Sequence, residues 1–382
     1  MSAKIHTEPR RGMKGISCLP VKKYDSERKR TMEKLKIAII GVGGISGAHI
    51  DAYQRNPHAE LYAFCDINKE RLEQKGAMYG ITRLYTDEDE MLAALPEIDA
   101  VSVCVWNCNH AKCAIKALDA GKHVLCEKPI AKTVEEAEQM LAAAKRNNRL
   151  LMVGFCCRFG KDAEIIRNYQ EKDFFGDIYY AKASQLRRNG NPGGWFCNKA
   201  MSGGGPLIDL GVHILDITRF LMGNPKPVSV FGATFNKLGN RKGVRKSEDA
   251  YICSDTDDIC DVEDLATAMV RYENGAVLVL DTSYALNMKE DFYSIQLFGS
   301  KGGVRACPDF EMYTDDNGYM VNMTPAGIRI DESGLFVREI AHFVDCIQNG
   351  TPCISPAEDG LDILRILTAV YRSAETGHEV LL

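Results

Sequence analysis

The sequence predicts an α/β fold: a doubly wound parallel sheet over residues 32–155, then an α+β half over 156–382 with a mainly antiparallel sheet. Three observations carry this. Short apolar runs alternate with helix-compatible stretches from residue 35 to 154. The first of these runs ends directly in glycines. After residue 155 the rhythm changes to helices and then to paired strands with turn chemistry between them.

Residues 35–40 read as a strand and 45–56 as a helix. A second strand, 60–66, closes on Asp66, and a helix is predicted over 68–79. Residues 99–105 are almost continuously apolar, as in a parallel strand covered on both faces. A helix over 110–120 ends at Gly121, a C-cap position. His123-Val-Leu-Cys126 reads as a strand. Thr133 with Glu136 three residues on is a capping box for the next helix, and 150–154 complete the series. Beyond that, helices are expected over 161–172 and 206–222. Strands over 262–272 and 276–284 flank Glu273-Asn-Gly275, a hairpin signal. A strand over 294–298 runs into a second turn, 299–303. Residues 236–261 are polar and read as loop. The chain closes with helices near 335–348 and 357–375, and these can pack back on the first half.

At 382 residues the chain is expected to hold two domains and to bury its cores without staples. The net charge of −5 and the absence of a basic helix face argue against nucleic acid. No apolar stretch reaches the length of a membrane span. The 14 cysteines include no CxxC pair, and Cys65, Cys104 and Cys126 lie in apolar runs. That pattern suggests free thiols in a reducing cytosol rather than a disulfide framework or a zinc knuckle. Residues 1–31 are polar and basic with no apolar core segment. They read as a disordered or upstream extension, since Met32 stands just before the first strand. Asp25, Glu27 and Glu8 spoil a transit-peptide pattern.

Gly41-Val-Gly-Gly-Ile-Ser46 follows a strand and opens a helix, the context a dinucleotide fingerprint requires. Gly41 permits the tight turn. Gly43, Gly44 and Ile45 bring backbone amides toward a pyrophosphate at the helix N-terminus. Ser46 replaces the third glycine, and a small residue still allows close packing. Asp66, 25 residues after Gly41, can accept from both ribose hydroxyls and would repel a 2′-phosphate. The expected cofactor is NAD, with NADP less favoured.

Glu127-Lys128-Pro129 sits at the carboxyl end of a strand, where ligands bind in open α/β sheets. Lys128 is either an exposed structural lysine or a cation that stabilises a substrate oxygen. Asp209-Leu-Gly-Val-His213 follows Gly203-Gly-Gly-Pro206. The Asp and His share a helix face at i and i+4. The pair reads as a surface pair, as a general base with its carboxylate, or as half of a metal site. Asp216 is the one near candidate for a third ligand, so no metal is expected.

These motifs together resemble the Gfo/Idh/MocA family, named for glucose–fructose oxidoreductase and inositol 2-dehydrogenase. The resemblance spans about residues 35–377. It rests on the glycine turn, Asn107-Cys-Asn-His110, Ala120-Gly-Lys-His-Val-Leu-Cys-Glu-Lys-Pro129, Val153-Gly-Phe-Cys-Cys-Arg-Phe159 and Gly203-Gly-Gly-Pro-Leu-Ile-Asp-Leu-Gly-Val-His213. It implies a Rossmann domain followed by an α/β domain with a large open sheet that often forms a dimer interface. A homodimer or homotetramer is therefore expected. It implies that Lys128, Asp209 and His213 are catalytic, with His213 as acid/base and the other two holding the reacting hydroxyl. Asn107, His110 and Glu127 join the glycine turn as cofactor-site candidates.

One departure is Trp106, where the family commonly has proline. It either stacks on a sugar or aromatic aglycone or packs internally. Arg158, Arg187, Trp195 and Tyr284 are further substrate-contact candidates. The expected activity is hydride transfer between NAD(P) and a secondary alcohol of a sugar, cyclitol or glycoside. Two alternatives stand beside it: a redox-neutral enzyme, epimerising or glycoside-cleaving, with tightly held NAD, and a non-catalytic nucleotide-sensing regulator.

Overall fold

The parallel half is built from Leu35–Ile40 (β1), Ser46–Arg55 (α1), Ala59–Cys65 (β2), Lys69–Tyr79 (α2), Leu84–Tyr85 (β3), Glu88–Ala94 (α3), Ala100–Val103 (β4), His110–Asp119 (α4), His123–Glu127 (β5), Val134–Asn147 (α5) and Leu151–Gly154 (β6). The six strands lie in the order β3-β2-β1-β4-β5-β6 and are all parallel. Ile37, Ala38 and Ile39 are fully buried, as are Val101, Val103, Val124 and Leu125. This is why the strand sequences read as continuous apolar runs. The reversal of strand order between β1 and β4 opens a crevice at the carboxyl ends of the strands. The short β3 and α3 carry too little apolar pattern to be read from sequence. The predicted capping box is present: Thr133 accepts from Glu136 N, and the Glu136 carboxylate accepts from Thr133 N.

This computed structural model describes residues 33–239, 241, 243–246, 251–253, 259–327, 329–330 and 333–382. The expected N-terminal extension and part of the 236–261 loop lie outside the described residues. The second half comprises Lys161–Gln170 (α6), Ile178–Leu186 (β7), Lys199–Ser202 (α7), Val212–Leu221 (α8), Pro227–Phe235 (β8), Leu265–Tyr272 (β9), Val277–Ser283 (β10), Phe292–Gly299 (β11), Gly302–Cys307 (β12), Glu311–Asp316 (β13), Tyr319–Met323 (β14), Leu335–Asn349 (α9), Ala357–Thr376 (α10) and Val380–Leu381 (β15). Its nine strands run β14-β13-β12-β11-β7-β10-β9-β8-β15. All neighbours are antiparallel except β7 and β10. The hairpin at Glu273-Asn-Gly275 forms, with Gly275 at φ 82°. One face of the sheet is covered by helices: Val230, Val270, Leu278 and Ala181 align across four strands and are buried. The opposite face, with Phe231, Met269, Val279 and Lys182 in register, is open. Among the described residues no helix is long and apolar enough to cross a membrane.

The C-terminal helices do pack back on the parallel half. α9 lies against α1 and the turn after β6, and α10 lies against α5, α8 and β8. Just before α10, Ser355 donates its hydroxyl to Val153 O at 2.7 Å and accepts from Val153 N at 3.1 Å. Arg158 explains why this return is fixed. Its guanidinium grips Asp216 bidentately (3.0 and 2.5 Å) and donates to Asp359 Oδ2 and Ile354 O, both at 2.6 Å. Arg158 and Asp216 are both almost fully buried. This corrects the expectation that Arg158 contacts substrate, and it removes Asp216 as a metal ligand. Every donor nitrogen of the Arg158 fork is spent inside the protein.

Removing one member of such a buried pair leaves the other charge unsolvated, which costs about 3–5 kcal/mol. Arg158→Leu should lower folding stability by that order, read as a fall in the midpoint of denaturant unfolding.

Candidate active site

At the carboxyl ends of β1 and β2, Gly41 adopts φ +88°, and a Cβ added there would sit 2.6 Å from Cys104 O. Only glycine satisfies both constraints. Gly41 N donates to Cys65 O at 2.8 Å, closing the turn onto β2. Asp66 then locks it, accepting from Val42 N and Asn68 N, both at 2.8 Å. Ser46, fully buried, donates its hydroxyl to Gly43 O at 2.7 Å. No side chain caps α1, whose N-terminus follows Ile45. Uncapped amides at a helix start favour an anion. Gly43 and Gly44 line a cleft of ≈ 520 Å³ together with Val42, Asn68, Arg71 and Gln74. Arg71 stands 3.9 Å from Asp66 and was not singled out by the sequence. These residues fit a dinucleotide, with its pyrophosphate on the glycine turn and its adenosine ribose toward Asp66.

Three of the other predicted cofactor residues have different partners. His110 is buried, with Nδ1 2.7 Å from Pro129 O and Nε2 3.1 Å from Val105 O. It braces the ends of β4 and β5 against each other. Glu127 places Oε1 2.8 Å from His49 Nε2 on α1 and accepts from Lys128 N at 3.2 Å. Asn107 donates to Ser202 O at 2.8 Å, joining the end of β4 to the Gly203 turn. All three position the cleft walls. His49 was missed because its partner lies 78 residues away. Burial opposes its charge, but Cys104 and the Glu127 carboxylate outweigh this and push its pKa up to about 10.

Lys128, Asp209 and His213 do come together, although they arise from different halves. Lys128 Nζ donates to Asp209 Oδ1 at 3.1 Å and to Asp209 O at 3.3 Å. Asp209 lies in a π-helical turn, Leu207–Gly211, that leads into α8. Such turns recur at functional sites because they displace a side chain from the regular helix face. Tyr284 is fully buried and donates its hydroxyl to Asp209 Oδ2 at 3.0 Å. This corrects its reading as a substrate contact: it holds the carboxylate. It also corrects the reading of Asp209 as the partner of His213, because both carboxylate oxygens are engaged elsewhere.

Gly204 and Gly205 let neighbouring protein atoms approach the backbone closely. A Cβ on Gly204 would meet the Tyr371 hydroxyl at 2.0 Å, and one on Gly205 would meet Glu263 O at 2.4 Å. Glu263 accepts from Gly205 N and Leu207 N, and Tyr371 donates to it at 2.8 Å. This buried carboxylate, unremarked in the sequence, fixes the start of the turn that carries Asp209.

Charge follows from these contacts. Burial opposes ionisation of Lys128, yet Asp209 and Glu127 raise its pKa. Burial likewise opposes Asp209, but Lys128 and then Arg187 keep its carboxyl below the ordinary range. For His213 the Asp209, Glu127 and Asp216 carboxylates compensate only in part. Burial first, then the Lys128 charge, lowers it to about 4. Its Nδ1 is buried without a hydrogen-bond partner. Lys128 has three donors and spends two on Asp209. The site therefore presents one ammonium N–H and a neutral imidazole side by side. Trp106 and Trp195 face each other at 6.3 Å, and Phe196 stacks on Trp195 at 4.0 Å. Cys156, Cys157 and His213 also place ligand atoms within 4.8 Å of one another. A cation bound there would occupy the His213 ring.

Residues 35–155 match the oxidoreductase family profile described as an NAD-binding Rossmann fold. Residues 171–382 match the same family's C-terminal alpha/beta domain. The chain is also 35% identical over 353 residues to D-glucoside 3-dehydrogenase of Escherichia coli (strain K12), covering 92% of this chain and 98% of that one. The chain belongs to the Gfo/Idh/MocA oxidoreductase family. It is an NAD-dependent oxidoreductase. Myo-inositol 2-dehydrogenase of Thermotoga maritima is 26% identical, over 91% of this chain and 98% of that one. The crystal structure of aldose-aldose oxidoreductase from Caulobacter crescentus superposes with a TM-score of 0.74 at 28% identity, over 92% of this chain and all of that one.

The charge states make a kinetic prediction. A histidine with a depressed pKa is neutral above that pKa and loses its basicity only below it. Oxidative kcat/KM should therefore stay level from neutrality down through pH 6.5 and fall only as the pH approaches about 4. A pH–rate profile with its acid limb at the ordinary histidine pKa of 6.5 would contradict the assignment.

Proposed function

We propose that this protein oxidises a secondary ring hydroxyl of a glucoside-type sugar, with Lys128, Asp209 and His213 as the catalytic set. The observation that carries the reading is the Lys128 ammonium pinned on Asp209 close to the neutral imidazole of His213. The unspent Lys128 N–H donates to the substrate oxygen and stabilises negative charge as its proton leaves. His213 accepts that proton and becomes the imidazolium. Asp209, anchored by Tyr284, keeps the ammonium aimed at the cleft. Bound NAD supplies the acceptor for the hydride lost from the carbinol carbon. In the reverse direction His213 returns the proton to the carbonyl oxygen.

The sugar class is supported by the relatives rather than by an observed sugar-binding surface: Trp106 and Trp195 are half-buried and stack on each other, and Arg187 is close enough to lower the Asp209 pKa. The family relative with 35% identity is a D-glucoside 3-dehydrogenase, so glucosides come first among candidate substrates. The decisive experiment is a panel of glucosides, free aldoses and inositols with NAD, followed by NADH absorbance. A glucoside should give the highest kcat/KM. Lys128→Met should cut turnover by about 10²-fold or more while calorimetry still shows NAD binding. Near-normal turnover in that variant would refute the assignment. Product without net NADH would favour the redox-neutral alternative.

Self-association is the second part of the proposal. The open face of the nine-stranded sheet exposes Phe231 and Met269, which are cross-strand partners, and Phe235. A contiguous apolar patch on an uncovered sheet suits an isologous contact with a second copy. Light scattering should show an oligomer that Phe231→Glu dissociates. No disulfide is formed among the described residues, which supports placement in a reducing cytosol.

A further inference from the structure

α9 carries His342 and Cys346 one turn apart, so both project from the same helix face. Gly350, at φ 70°, ends the helix and turns the chain back. The returning segment brings Cys353 to the same place. The ligand atoms of His342, Cys346 and Cys353 all lie within 4.8 Å of one another. Cys346 Sγ is 3.3 Å from His342 Nε2.

We propose that His342, Cys346 and Cys353 form a three-ligand zinc site. A tetrahedral zinc with Zn–S near 2.3 Å and Zn–N near 2.0 Å needs its sulfurs about 3.8 Å apart and sulfur and nitrogen about 3.5 Å apart. The Cys346 Sγ–His342 Nε2 separation of 3.3 Å is close to the sulfur–nitrogen value, and all three ligand atoms lie within 4.8 Å of one another. Two thiolates and an imidazole select zinc over hard ions such as magnesium or calcium. All three residues are half-buried, so a cation can reach them from solvent and a water can complete the tetrahedron. One hydrogen bond must be exchanged: Ile354 N now donates to His342 Nε2 at 3.0 Å, and the metal would take that lone pair. The gain is a cross-link between α9 and the strap that follows it. Ile354 and Ser355 on this strap hold Arg158 and Val153. The site is therefore structural: it staples the C-terminal return onto the parallel half, whatever the substrate.

The test uses the full chain, purified reduced and without chelator. Elemental analysis should find one zinc per chain. Its removal by a strong chelator should lower the melting temperature, and added zinc should restore it. Cobalt(II) added to the stripped protein should give a thiolate-to-metal charge-transfer band and intense tetrahedral visible bands. These should vanish in Cys346→Ser and Cys353→Ser and persist in His213→Asn. Should the serine variants fail to fold, the wild-type chain still decides. Alkylation read by mass spectrometry should label Cys346 and Cys353 in stripped protein and spare both when zinc is present. A wild-type chain that binds neither zinc nor cobalt overturns the proposal. So do cobalt bands that survive in the serine variants and disappear in His213→Asn, which would place the ion at Cys156 and Cys157. A native Cys346–Cys353 disulfide with no zinc binding after reduction overturns it too.

Discussion

The Lys128–Asp209 contact is the constraint around which the site is organised. Each charge alone would be costly in this position, since burial opposes both ionised forms. Paired at 3.1 Å, they hold each other charged. The two residues come from different sheets: Lys128 follows β5 of the parallel sheet, and Asp209 precedes α8 of the second half. The pair therefore works only if the two halves are docked in one relation. It is weak evidence for stability, because a buried ion pair rarely repays its desolvation in full. Its value is chemical. It leaves one oriented N–H unspent and raises the potential that keeps His213 neutral.

The surrounding contacts read as devices for holding that pair. Tyr284 occupies the second oxygen of Asp209, and Glu263 fixes the turn on which Asp209 sits. Glu127 ties Lys128 N to His49 on α1, so the end of β5 and α1 share one buried carboxylate. His110 and Asn107 brace the same rim. None of these side chains needs to touch a ligand to matter. A small shift of Lys128 changes where its remaining donor points, and catalysis is sensitive to displacements of that order.

Much of the parallel half was legible because its signals are local. Apolar runs, the glycine turn, the Thr133 capping box and Gly121 each encode their own conformation within a few residues. The second half was read less completely. β7 and β8 mix exposed and buried positions, and β13 and β14 are largely polar or exposed, so alternation alone did not announce them. Between Arg187 and Trp195, both substrate-contact candidates, Asn191 accepts from Gly193 N and the Cys197 thiol, and Arg187 donates to Gly190 O.

Arg158 shows where the sequence stops. Its motif, Cys-Cys-Arg-Phe, marks it as important, and nothing local says whether it serves substrate or scaffold. Asp216 and Asp359 decide that, from 58 and 201 residues away. The same holds for Tyr284 with Asp209, 75 residues apart. The sequence by itself determined the fold class, the dinucleotide turn and the family with its NAD chemistry, because residue type and short spacing suffice for each. Only the tertiary structure decided which polar side chains face the cleft and which are spent holding it. That choice depends on buried hydrogen-bond partners brought in from distant strands and helices, and a linear pattern carries no record of them.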